Sequence, residues 1–277
     1  MDNASADGTV ERITSAFPDV TFIENKVNVG FPAANNQGIG IARAHSILLL
    51  NPDTVVYEGA IERLIDCFAT EPKNKIVGLN VRNLDGTAQN TVHLVRPGAL
   101  DFVSEQSGLG RHVPTWDRDA ADRESPAGDM RLVGWVSGAA LAFTKAIVET
   151  VGMLDEAMFW AEDLDFCARA AEAGIPIYYL PGAKVMHYGG ESGKRNFRKM
   201  IYHQHFSRVA FARKHYGVRY ELLLRATYAL TLPAKIILRV LQMGFPGRAV
   251  ESRARLAGYL DALAFCVYSP IRIGARR

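Results

Sequence analysis

Four consecutive aliphatic residues, Ile47-Leu48-Leu49-Leu50, stop abruptly at Asn51-Pro52-Asp53. So short and continuous an apolar run predicts a strand covered on both faces, and hence helices on both sides of a sheet. The flanking pattern agrees. Turn formers over Asp2 to Gly8 lead into a helical pattern at Val10, Ile13, Ala16 and Phe17. Val20 to Ile23 reads as a strand, Pro32 to Ala44 as a helix, Ala60 to Phe68 as a helix, and Ile76 to Val81 as a strand ending in the turn Asn83 to Gly86. Strand alternating with helix predicts an α/β layered domain with a mixed, mostly parallel sheet.

Beyond this core the pattern changes. From Val92 to Asp129 the periodicity is weak, which predicts a long loop or flap. Order returns with Leu132 to Val136, Ala139 to Phe143, helices at Lys145 to Val151 and Glu162 to Ala173, and two strands, Ile177 to Leu180 and Lys184 to Tyr188. From Arg195 the chain reads as helical, interrupted near Gly217, Pro233 and Gly244 to Gly247. The expected division is residues 1–195 as one α/β domain and 196–277 as a helical region. At 277 residues, 48% apolar and 22% charged, the chain can bury a sizeable core, which excludes disordered, collagen-like and disulfide-dense classes. A formal charge of +3 gives no ground for a nucleic-acid partner. Three scattered cysteines without a C-x-x-C pair point to a reducing compartment rather than zinc or redox work. The sequence predicts neither a signal peptide nor a plain membrane span, because the best apolar stretch, Leu222 to Phe245, carries Arg225, Lys235 and Arg239.

Three clusters can carry chemistry. Asp53 follows a buried strand, and in open α/β sheets ligands bind outside the carboxyl ends of strands; a hard carboxylate there suits a divalent metal on phosphates. The same tripeptide can equally turn the chain and cap a helix. Glu162-Asp163-Leu164-Asp165 opens a helix with the apolar stripe Leu164, Cys167, Ala168 and Ala171. Acids at a helix N-terminus complement its dipole, and Asp165 can pair with Arg169 four residues on. Three acids exceed that need, however, and Met158-Phe159-Trp160 would wall them from water, raising a carboxyl toward a useful general base. His187 ends a strand before Gly189-Gly190-Glu191-Ser192-Gly193-Lys194-Arg195, a plausible phosphate-holding loop. Gly38-Ile39-Gly40 lacks the third glycine of a dinucleotide fingerprint, and neither a Walker loop nor Gly-x-Ser-x-Gly is present.

Taken in order, Asp2-Asn3-Ala4-Ser5-Ala6-Asp7-Gly8-Thr9, Asn28-Val29-Gly30-Phe31 with Asn35-Asn36-Gln37-Gly38, Leu50-Asn51-Pro52-Asp53, Val136-Ser137-Gly138-Ala139, Val151 to Glu156, Phe159 to Asp165 and His187 to Ser192 resemble family 2 glycosyltransferases, most nearly the bacterial rhamnosyltransferase-like members. The resemblance spans roughly residues 2–195. It implies a GT-A fold, a nucleotide-diphosphate sugar donor, Mg²⁺ or Mn²⁺, and inversion at the anomeric carbon. By this resemblance Asp2 and Asn3 belong to the segment that reads the nucleotide base, Asn28, Gly30 and Asn35 line the nucleoside side, and Asn51 and Asp53 stand at the family's Asp-x-Asp motif. Asp53 would hold the metal, with His187 as a further contact. Asp163 of the Glu162-Asp163 pair resembles the catalytic base, and Trp135, Ser137 and Gly138 the acceptor side. Asn51 replaces the motif's first Asp, which implies one charged ligand fewer. Family members place a strand, helix and strand before the Asp-Asn-x-Ser segment, where this sequence has only Met1. That absence leaves a second class open, a catalytically silent truncated fragment or nucleotide-binding module; a metal-dependent hydrolase is a third.

The tail mixes aromatic, His and Arg/Lys residues over Tyr202 to Tyr216, then turns apolar over Leu222 to Val240. Such a segment suits an anionic membrane surface, or a helical cap on the sheet. With a glycan or lipid-linked acceptor, the resemblance implies work in cell-envelope polysaccharide synthesis from the cytoplasmic side, peripheral to the membrane.

Overall fold

The computed structural model describes residues 1–107, 130–189, 196–245 and 249–268. Strands β1 (Asp2–Asn3) and β2 (Glu24–Asn25) pair in parallel as a small separate sheet. Helix α1 (Thr9–Ala16) lies between them, and α2 (Phe31–Ile41) follows a positive-φ turn at Gly30. The main sheet contains β3 (Ser46–Leu50), β4 (Thr54–Val56), β5 (Ile76–Arg82), β7 (Arg131–Leu132), β9 (Ala140–Thr144) and β10 (Ile177–His187). Its order is β3-β9-β5-β10-β4, with β7 also on β10. The short β6 (Val92–His93) and β8 (Trp135–Val136) form an antiparallel pair of their own. The remaining helices are α3 (Ala60–Ala69), α4 (Ala99–Ser107), α5 (Lys145–Val151), α6 (Glu162–Glu172), α7 (Phe197–Tyr216), α8 (Val218–Gln242) and α9 (Ala249–Tyr268).

The expected α/β architecture with a mixed sheet is present, but the pairing is not mostly parallel, since β4, β7 and β9 each run against their neighbours. β5 and β10 pair in parallel, whereas β9 runs antiparallel to both β3 and β5. β3, β5 and β10 therefore point the same way, and their carboxyl ends share one edge of the sheet. Because β9 runs oppositely, its first residues reach that edge too. This direction of travel, more than any local propensity, assembles the site.

Both faces of the sheet are covered, as the Ile47–Leu50 run predicts. Ile47 and Leu49 pack with Phe143, Ile147 and Phe166 on one side, while Leu48 joins the cluster of α3 residues Ala60, Leu64 and Cys67 on the other. α6 is enclosed: Phe166, Cys167 and Ala170 face the sheet, and Leu164 and Ala168 face a third cluster built by α4, α7, α8 and α9. Ala171, expected in the apolar stripe, is exposed. Gly78 on β5 admits the wholly buried Val136, since a Cβ there would sit 2.5 Å from two of its atoms. This close approach seats β8 on the sheet.

Four local expectations change. Val20 to Ile23 is not a strand; Val20 is exposed, and the pairing falls one step later, where Asp2 N donates to Ile23 O (2.8 Å) and β2 meets β1. The expected loop after Val92 contains β6 and α4, because Phe102 finds a core among the distant C-terminal helices; residues 108–129 of that expectation lie outside the described residues. The two strands at Ile177 and Lys184 are one strand with a bulge, in which Asn80 Nδ2 caps Pro181 O (2.9 Å). α8 continues through Pro233. The buried Tyr228 and Leu232 hold it in place despite an interior-proline penalty of about 3 kcal/mol.

Candidate active site

The site builds outward from the shared strand edge. Past the end of β3, Asn51 N donates to Ala139 O (3.0 Å), continuing the ladder in which Leu50 faces Ala140. The Asn-Pro-Asp turn is closed by Thr54 Oγ1 on Asn51 O (2.6 Å) and by Tyr188 N on Asp53 O (2.9 Å). β4 then pairs with β10 so that Thr54 stands opposite His187. That register carries His187 Nε2 to 3.1 Å from Asp53 Oδ1 and 3.2 Å from Asn51 Nδ2. Residues separated by more than 130 positions meet because two strands end at one edge. Asn51 Oδ1 is buried without a hydrogen-bond partner. Among the described residues no group of three His, Cys, Asp or Glu gathers into a metal cage.

A second group of side chains lies across Ala139. Gly138 N donates to Asp163 Oδ2 (2.7 Å), and Leu164 N donates to Oδ1 (2.6 Å). Asp163 keeps part of its surface open to the cleft, yet it sits deep among protein atoms, and burial raises its pKa above the usual carboxylate range. Gly138 N and Leu164 N oppose that rise, as does the nearby Trp135 indole, whose N–H falls short of hydrogen-bond geometry. Glu162 is pushed up to about 8, first by burial and then by the charge of Asp163. Its Oε2 accepts from Trp160 N (2.6 Å), across a turn in which Trp160 adopts φ +85°. The expected apolar wall is incomplete: Met158 is buried, but Trp160 is exposed. Burial here comes instead from α7, where Ser207 Oγ donates to Phe159 O and His203 packs edge-on against Phe159.

The third acid has a different environment. Asp165 is fully buried among Arg169 Nε, Lys214 Nζ and His215 Nε2, each 2.8 Å away. Burial alone would raise its pKa, but His215, Arg169 and Lys214 outweigh it and hold the carboxyl far below the ordinary range. The expected Asp165–Arg169 pair is present, within a larger network.

On the remaining side, Asn3 braces a loop: Val29 N and Asn25 Nδ2 donate to its Oδ1, and its Nδ2 donates to Gly30 O. Asn28 Oδ1 accepts from Gly30 N (3.0 Å), and Asn35 Nδ2 donates to Phe31 O (2.8 Å). Ser5, through its hydroxyl and amide, lowers the pKa of Asp2. The braced loop abuts the acids' segment: a Cβ at Gly30 would lie 3.8 Å from Phe159, and one at Gly138 3.5 Å from Asp163 and 3.6 Å from Phe31. Trp135 rests edge-on against His93 at 5.2 Å, and Ser137 N donates to Thr91 O.

Residues 1–116 match the sequence model of Glycosyl transferase family 2. That match covers less than half of the chain, and by it the N-terminal part is similar to the family 2 glycosyltransferases; the chain is a glycosyltransferase. This glycosyltransferase is 29% identical over 236 residues to N-acetylglucosaminyl-diphospho-decaprenol L-rhamnosyltransferase of Mycobacterium tuberculosis, covering 78% of the chain and 74% of that protein. It is 27% identical over 170 residues to the pre-mycofactocin glycosyltransferase of the same organism, covering 61% of the chain but only 32% of that protein. In fold it is similar to the mannosyltransferase PcManGT from Pyrobaculum calidifontis, solved with GDP-Man and Mn²⁺, with a TM-score of 0.52 at 16% identity over 96% of the chain and 76% of that structure. The fold is GT-A.

Sequence reasoning missed several groups in this glycosyltransferase. Gln89, with its side chain on His187, carries no motif signal. Lys214 and His215 lie in the tail, where nothing in their spacing points to a buried carboxylate 50 residues away. The glycine-rich segment after Gly189 lies outside the described residues from 190 to 195.

Proposed function

We propose that this glycosyltransferase moves a sugar, rhamnose being the leading choice, from a nucleotide-diphosphate donor to a glycan or lipid-linked acceptor, with inversion, in cell-envelope polysaccharide synthesis. The observation that carries this reading is the junction at Asn51–Ala139, which sets Asp53 and His187 on one side of a strand edge and Gly138 with Asp163 on the other. The M. tuberculosis rhamnosyltransferase described above, whose name gives rhamnose as the sugar moved and a lipid-linked diphosphate sugar, supports the choice of sugar and of acceptor class.

Asp163 takes the proton of the acceptor hydroxyl while that oxygen forms its bond to the anomeric carbon. The bond from that carbon to the diphosphate oxygen breaks on the opposite face, which inverts the centre. Two backbone N–H groups fix the Asp163 carboxyl, and its raised pKa strengthens it as a base. Glu162 holds the turn through Trp160 N. Trp135, Ser137 and Gly138 line the acceptor side; Asp2, Asn3, Asn28, Gly30 and Asn35 serve the nucleoside side.

Asp53 Oδ1 and His187 Nε2, 3.1 Å apart beside the unpartnered Asn51 Oδ1, suit Mg²⁺ or Mn²⁺ held by few protein ligands together with donor phosphates. Such an ion, when bound, neutralises charge on the departing diphosphate. The test is transfer from a panel of nucleotide sugars to a lipid-linked acceptor with and without Mn²⁺; donor hydrolysis that needs no acceptor would favour a hydrolase instead.

Peripheral membrane attachment through residues 196–277 belongs to the same proposal. Among the described residues no helix is long and apolar enough to cross a membrane. α8 nevertheless exposes Leu222, Leu230, Ile237 and Leu241 along one stripe, continued by Phe245. Two of the three cations expected to meet anionic lipid turn inward, Arg225 onto Glu221 and the carbonyls of Phe265 and Cys266 and Lys235 onto Gln106 Oε1, while Arg239 donates to Gln242 on its own helix. Attachment therefore rests on apolar insertion more than on charge.

A further inference from the structure

Gln89 lies in the return segment after the Asn83–Gly86 turn, anchored by Gln89 N on Val81 O (2.9 Å) and Thr91 N on Gln89 O (2.9 Å). Its side-chain amide makes two contacts with His187. At one end it lies 2.7 Å from the backbone carbonyl oxygen of His187, and at the other 2.9 Å from ring Nδ1. A carbonyl oxygen only accepts, so the amide NH₂ must face it, and the amide oxygen must face Nδ1. An amide oxygen also only accepts. Nδ1 must then carry the hydrogen, and in the neutral ring the lone pair sits on Nε2.

That lone pair faces two groups, the Asn51 Nδ2 donor at 3.2 Å and the Asp53 Oδ1 acceptor at 3.1 Å. Asn51 leaves the Nε2–Oδ1 contact itself uncompensated, and a proton or a cation shared by these two electron-rich atoms would relieve it. We propose that Gln89 is a positioning residue that holds His187 in the Nδ1–H tautomer, so that Nε2 and Asp53 Oδ1 together face a divalent cation. This assignment rests on the metal reading of Asp53 and His187 proposed above. A carbonyl or carboxylate on the far nitrogen of a ligating histidine fixes ring orientation and tautomer, and its loss weakens metal affinity by roughly 10–100-fold.

The same segment reaches the opposite side of the site. Thr91 O accepts from Ser137 N (2.8 Å), and Val92 and His93 pair with Val136 and Trp135. Residues 89–93 thus form one strap that touches His187 at one end and the Ser137–Gly138 turn at the other.

The experiment uses the full chain with uniformly ¹⁵N-labelled histidine. Long-range ¹⁵N–¹H spectra report the tautomer of His187, assigned through His187→Ala, and loss of the free Mn²⁺ paramagnetic resonance signal, in the presence of deoxythymidine or uridine diphosphate, reports metal uptake. We expect the Nδ1–H tautomer in the wild type. Gln89→Leu should lose it and bind Mn²⁺ at least tenfold more weakly, without further loss when combined with His187→Ala. Gln89→Glu, which keeps an acceptor opposite Nδ1, should retain the tautomer and bind Mn²⁺ within about threefold of wild type. Wild-type protein with an Nε2–H ring overturns the proposal, as does a Gln89→Leu variant with unchanged tautomer and Mn²⁺ uptake. A wild type that takes up no Mn²⁺ overturns the metal reading itself, and with it the part of the proposal that depends on it.

Discussion

Asp165, buried in the first turn of α6, accepts from Nε2 of His215 at 2.8 Å across 50 residues of sequence. With Lys214 and Arg169 on the same carboxylate, this contact fastens α7 to the helix that presents Glu162 and Asp163. The C-terminal helices therefore share the energetics of the site, and α7 lies directly behind Phe159 through Ser207.

Removing that carboxylate should unfold the chain readily. Asp165→Asn leaves Lys214 and Arg169, both half-buried, with a weakened partner, and because the two cations keep Asp155 and the Met153 carbonyl the cost should fall at or below the roughly 3–5 kcal/mol of a broken buried ion pair. The native pKa lies below the unfolded value of 3.8, so this contribution is complete above pH 3.8 and fades as pH falls. Thermal melts should show a large gap between wild type and Asp165→Asn at pH 7 that narrows toward pH 3; a constant gap would mean the charge is irrelevant.

Replacing the base should separate binding from chemistry. Asp163→Asn preserves the side chain's shape and an oxygen for one of Gly138 N and Leu164 N, and it leaves the Asp53–His187 side untouched, so calorimetric binding of the nucleoside diphosphate should persist. Transfer should drop by about 10²–10⁴-fold. Because burial raises the pKa of Asp163, wild-type transfer should climb with pH through a range above that of an ordinary aspartate. Transfer by Asp163→Asn at wild-type rates would remove Asp163 from the mechanism.

Glu162 should act on stability with the opposite sign to Asp165. Its folded pKa is raised from 4.5 to about 8, so its ionisation penalises the folded state; the penalty is absent below pH 4.5 and grows toward pH 8. Glu162→Gln, which retains an acceptor for Trp160 N, should melt higher than wild type at pH 8 and equal to it near pH 4.5. Each kcal/mol of relief corresponds to about 2–4 °C. Equal melting at pH 8 would show that the ionised carboxylate is well solvated.

The α8 stripe makes a separate prediction. Leu230→Glu with Ile237→Glu places two charges on an exposed face and should leave the melting temperature within a few degrees of wild type. Co-sedimentation with phosphatidylglycerol/phosphatidylcholine vesicles should fall at least tenfold. Wild-type protein that stays in the supernatant would remove the membrane part of the proposal.

Much of this was legible in one dimension. The Ile47–Leu50 run reported a strand buried on both faces because covered strands have no solvent side on which to place polar residues. Asn51-Pro52-Asp53, the acids of α6 and His187 were legible because turns and helix starts carry local chemistry. What the sequence could not express was adjacency. Asn51 meets His187 only through the register of β4 on β10, and Gly138 meets Asp163 only because β9 runs against β3. Gln89 and His215 have no local signature at all; their partners are fixed by which strand ends and helix faces the packed core brings together. Hydrophobic periodicity determined the elements, since burial is read residue by residue. Register and helix packing decided the site, since those depend on contacts that exist only once the chain has closed on itself.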